Sequence, residues 1–142
     1  MPRFRIAALF IVATCLWVLT ASALPPFPKY IEEQYAASPE HAKYLAMYKA
    51  LEGEHKCDAC HKPGIEKKVK GHALNDYGDA VHKYFKHRDF NKAEKLGEKD
   101  PAELAKARKI VADALEKADA EKNADGKTFG ELIRAGQSPG KN

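Results

Sequence analysis

Cys57, Cys60 and His61 are the residues whose types and spacing carry chemistry in this chain, standing together as Cys57-Asp58-Ala59-Cys60-His61. Two thiols three positions apart reach the two vinyl groups along one edge of a haem, where each closes a thioether bond. The imidazole beside the second thiol then lies beneath the iron as its proximal ligand. The pattern C-x-x-C-H therefore predicts one covalent haem c, with His61 on the metal. Other chemistries use the same thiols. A zinc site needs two more ligands, and His72 with one other histidine would have to replace the usual second pair at fixed spacing. A thioredoxin-like pair follows a strand and opens a helix, and no strand pattern precedes Cys57. A disulfide across so short a loop contributes little to stability.

The sixth position on such an iron decides function more than the attachment does. No methionine follows His61. Met47 precedes it, on an apolar helical stripe where core filling is its ordinary role. His72 is the first choice as distal ligand, because the preceding loop with Pro63, Gly64 and Gly71 is long enough to pass around a haem edge. Met47 and His82 are alternatives. His82 and His87 lie off the stripe of Val81 and Phe85, which points them toward solvent. His41 shares a face with Leu45 and Tyr48, His55 stands close to the attachment edge, and an open or water-filled position remains a further option.

The elements that must position these groups read as helices. Leu24 to Pro39 is rich in proline and aromatic residues, which predicts an extended arm over 24–38 ending in a short helical stretch. Ser38 and Pro39 start a helix whose apolar residues recur at Tyr44, Leu45, Met47, Tyr48 and Leu51. Residues 62–71 read as a lysine-bearing loop. Asn75 or Asp76 caps a helix striped by Tyr77, Ala80, Val81, Tyr84 and Phe85, and Arg88 to Lys99 reads as a polar linker. Asp100, Pro101 and Glu103 open the clearest helix, buried along Leu104, Ala107, Val111, Ala114, Leu115 and Ala118. Thr128 with Glu131 starts a short last helix, before a tail over 137–142. Nothing alternates with strand period, so the fold class is all-α, with one helical haem domain over 39–136.

Arg3 and Arg5 precede an apolar run that ends at Ala21-Ser22-Ala23, the form of a signal peptide over 1–23. An uncleaved run would instead anchor the chain in a membrane. Export places the two remaining cysteines in an oxidising compartment, the periplasm. At 142 residues, 44% apolar and 31% charged, the mature chain suits one compact domain. Its formal charge of +4 falls by two when Arg3 and Arg5 are removed, and this modest charge, together with export, disfavours nucleic acid as a partner. Lys56, Lys62, Lys67, Lys68, Lys70, Lys83, Lys86, Arg88 and Lys92 cluster around the haem segment, either as a solvated surface or as a rim that steers an acidic or membrane-bound redox partner. Asn123 to Gly126 starts like a calcium loop but has Leu132 where the last loop position needs glutamate, so a helix stop is expected there.

The order of C-x-x-C-H, a lysine-rich loop, Asn75-Asp76-Tyr77-Gly78 and finally Lys127-Thr128-Phe129-Gly130-Glu131-Leu132-Ile133 resembles the small exported monohaem cytochromes of planctomycete-type bacteria, from about Tyr44 onward. The resemblance implies haem and export, and it carries over only Cys57, Cys60 and His61 as haem residues. Asn75 and Tyr77 match its recurring motif, with capping and packing as their simplest roles. One haem signature in a small chain without a catalytic constellation predicts an electron carrier that transforms no substrate. An open iron would instead make a haem enzyme, peroxidase-like, or a gas-binding protein, and docking would make a haem subunit of a larger oxidoreductase complex.

Overall fold

The computed structural model describes residues 27–51, 53–64 and 73–140. The expected signal peptide, most of the lysine-bearing loop and His72 lie outside the described residues. Six α-helices make up the described chain, with no strand among them: α1 (Phe27–Ala36), α2 (Ala42–Ala50), α3 (Asp76–Tyr84), α4 (His87–Gly97), α5 (Pro101–Asp119) and α6 (Phe129–Arg134). A short 3-10 turn at Pro39–His41 precedes α2, and another at Gly53–Ala59 contains Cys57 and leads into Cys60. The expected all-α class holds.

The nineteen residues of α5 form the spine, with Ala107, Val111, Ala114, Leu115 and Ala118 buried along one face. That face packs against α4, α3, α1 and α6. Three small alanines among these buried positions let neighbouring helices come close, while Val111 and Leu115 fill the space between. Tyr35, Tyr44, Tyr48 and Tyr77 are fully buried in the same cluster, with Ile31, Phe90, Phe129 and Ile133.

Two segments differ from the sequence reading. Phe27–Ala36 is helical where an extended arm was expected, because Pro28 falls in the first turn, where its missing N–H has no partner to lose. Tyr30, Ile31 and Tyr35 then face the core. His87–Gly97 is a helix where a linker was expected. Its only buried apolar residues, Phe90 and Ala93, give a weak pattern, and α5 supplies the surface that makes them sufficient. Gly97 allows the turn between the two helices, since a Cβ there would stand 3.0 Å from the Leu104 backbone.

The caps follow the sequence with two exceptions. Asn75 accepts from the Gly78 N–H, Asp100 accepts from the Ala102 N–H, and Thr128 with Glu131 closes a capping box. Glu103 does not complete a box with Asp100 and pairs with Lys106 instead. Ser38 makes no capping bond and leads into a 3-10 turn. The Asn123 side chain accepts from the Asp125 and Lys127 N–H groups, and Gly126 takes φ +80°, so this segment is a turn that stops α5.

Candidate functional site

The 3-10 turn of Gly53–Ala59 sets the spacing of the thiols. Cys60 and His61 both donate their N–H groups to the Cys57 carbonyl, at 3.1 and 2.9 Å, which folds the five residues into one tight turn. The two sulfurs are not joined, and both cysteines are half-buried. Burial, with the neighbouring Cys57 adding to it, pushes the Cys60 thiol up to about 12. A redox-active pair of the thioredoxin kind depends on a depressed thiol instead.

One buried side chain holds this turn from behind. Asn75 donates from Nδ2 to the carbonyls of Asp58 (3.1 Å) and Ala59 (3.2 Å), and from its backbone to that of Cys60 (3.0 Å). Its Oδ1 meanwhile caps α3. The Cys57–His61 turn and the first turn of α3 thus share one amide, which is 1% exposed. Gly78 lets them meet: a Cβ there would lie 2.0 Å from the Cys60 carbonyl oxygen. Within the expected tail, Gly140 and the buried Pro139 bring the chain over the Asn75 side chain.

In front of the turn lies a cavity of about 270 Å3. Cys57, Cys60, His61 and Leu74 form one wall, with Tyr48 and Lys56 beside them. Phe27, Pro28 and Ile31 of α1, Gly78, Val81, His82 and Phe85 of α3, and His87, Phe90 and Asn91 of α4 complete the lining. Phe27 and Phe85 meet edge to face at 4.8 Å, and Phe85 lies 5.1 Å from Phe90. Lys56 is tied to Glu32 at 2.5 Å. The Tyr48 hydroxyl is buried in this wall with no hydrogen-bond partner among the described residues, and desolvation raises its pKa.

Behind the attachment turn, Tyr35 and Tyr77 join their hydroxyls at 2.6 Å, and Tyr77 donates to Asp119 at 2.9 Å. Burial raises the Asp119 carboxyl to about 6, against the lowering effect of both tyrosines and of Arg134. Nothing in the residue pattern announces this network, whose members are up to 84 residues apart.

The structure brings Cys57, Cys60, His61 and His82 to one cavity and places His87 there too. His82 and His87 are exposed, as their positions off the apolar stripe implied, yet they stand at the cavity edge with rings 5.0 Å apart. Met47 is packed against the core, and the cavity lining does not include it. His41 packs on Tyr35 at 4.9 Å, and His55 lies 3.1 Å from Asp58. Among the described residues no three His, Cys, Asp or Glu side chains converge to hold a metal ion by themselves. No protein-family model, curated protein or solved structure matches the chain.

Proposed function

We propose that the chain is an exported monohaem c-type cytochrome that transfers electrons, with haem tethered through Cys57 and Cys60 and His61 as proximal iron ligand. The observation that carries this reading is the apolar cavity that has Cys57, Cys60 and His61 together in its lining. A C-x-x-C-H run on a convex surface would have nowhere to seat a macrocycle. The volume lies just below the roughly 300–1,000 Å3 of ordinary ligand clefts, so a bound group of that size keeps an edge outside.

When bound, haem supplies a one-electron couple at its iron. The chain's residues do the rest. The sulfurs fix the group's edge, Asn75 keeps the turn rigid behind them, and the His61 imidazole offers its nitrogen to the metal. Phe27, Ile31, Val81, Phe85 and Phe90 exclude water, and an apolar surround favours the less charged oxidation state. Lys62, Lys86, Arg88 and Lys92 are exposed on the segments that flank the cavity, an arrangement that attracts an acidic redox partner.

The test is maturation of the chain in a periplasm with thioether-forming machinery. Intact mass should rise by one haem, the haem should survive denaturation, and a reversible one-electron couple should follow. Cys57→Ser with Cys60→Ser should lose the added mass. A wild-type chain recovered from that host at bare polypeptide mass refutes the reading.

A further inference from the structure

We propose that His82 supplies the sixth iron ligand, making the centre bis-histidine; the assignment rests on the cytochrome reading above. Gly78 and His82 stand four positions apart on α3, and both line the cavity. Gly78 is pressed against the Cys60 carbonyl. The edge of α3 that touches the attachment turn therefore carries an imidazole about one turn, or 5.4 Å of rise, farther along the same face.

The surroundings of His82 are built. Its ring lies 5.0 Å from that of His87, which packs edge-on against Phe85 at 4.5 Å. His87 is the weaker candidate for the ligand itself, because it opens α4 and its ring is already packed on Phe85.

The competing donors fall away one by one among the described residues. Met47, His41 and His55 do not line the cavity. Lys56 lines it, but its ammonium is held by Glu32. Tyr48 lines it as a buried phenol, which gives up its proton only with difficulty. Among the described residues His82 remains, an imidazole carried on α3 in the cavity lining, and imidazole suits iron.

The experiment compares the haem-loaded wild type with His82→Ala, His87→Ala, His72→Ala and Met47→Leu. Covalent haem is first verified in each by mass, and spin state is then read by optical and electron paramagnetic resonance spectra. The wild type should be low-spin without the charge-transfer band of a methionine-bound iron. His82→Ala should turn fully high-spin in the ferric state, bind carbon monoxide on mixing once reduced, and return to low spin when imidazole is added. The other three should stay low-spin. A His82→Ala protein that keeps its haem and remains low-spin overturns the assignment. So does a high-spin wild type, or a switch to high spin in any of the other three variants. A wild type without haem mass refutes the cytochrome reading itself, and this assignment with it.

Discussion

Replacing Asp119 by asparagine isolates the cost of a charge that the fold half-encloses at the end of α5. The carboxyl stands at about 6 instead of 3.8, chiefly because burial disfavours its ionised form, while Tyr77, Tyr35 and Arg134 recover part of that loss. A folded-state pKa above the unfolded value means that the folded protein holds the proton more tightly. The stability this provides is complete below about pH 4 and is lost as pH rises through about 6. At 1.36 kcal/mol per unit of pKa, and allowing for partial solvation of the carboxylate, the loss amounts to roughly 2–3 kcal/mol. Asparagine cannot ionise, so Asp119→Asn lacks this component. Urea unfolding followed by circular dichroism at pH 4, 5, 6 and 7 gives the free energy of each protein, and subtraction cancels the titration of distant groups. Wild type should lose ground to the variant across this interval by the stated amount. Parallel pH curves, or a wild type that gains on the variant as pH rises, would falsify the reasoning. Tyr77→Phe removes a hydrogen bond that favours the carboxylate, so it should move the falling part of the curve to higher pH.

Asn75→Ala leaves the Asp58 and Ala59 carbonyls without their donor and uncaps α3; an expected loss of about 3 kcal/mol is read from urea midpoints, with less haem attached per chain. Gly78→Ala drives a methyl into the Cys60 carbonyl, so α3 must move away from the attachment turn; we expect a loss of about 3 kcal/mol or more in the same assay, and no loss would mean that the two segments are not in contact. Thr128→Ala opens the capping box of α6 and should cost about 1 kcal/mol with the haem spectrum unchanged. The rate of electron exchange with an acidic partner should fall as ionic strength rises, because exposed charges such as Lys86, Arg88 and Lys92 are screened; a salt-independent rate would remove the basic rim from the account.

Where a structural cue is short-range, it was legible in the sequence. The caps at Asn75, Asp100 and Thr128 depend on residues two or three positions away, and they form. The striped helices α3 and α5 likewise carry enough apolar residues to declare themselves. The first and fourth helices were missed for opposite reasons. Proline density masked α1, although a proline in the first turn costs a helix nothing. Only Phe90 and Ala93 are buried in α4, and whether so little apolar surface suffices depends on the partner helix α5.

At the candidate site the same division holds. The C-x-x-C-H run of Cys57, Cys60 and His61 was legible because its spacing is local, set by a turn of five residues. What faces those sulfurs is decided by chain segments far apart, since the cavity takes its walls from α1, α3 and α4. Asn75 was recognisable as a cap, but its grip on the attachment turn exists only once α3 docks there. Distances along the chain cannot say which imidazole meets a cavity, nor that Tyr35, Tyr77 and Asp119 will join in one hydrogen-bond network. The sequence by itself determined the helices other than α1 and α4, and the C-x-x-C-H run; the tertiary structure alone decided those two helices and what surrounds the run, because burial and charge environment belong to packing and not to neighbours in the chain.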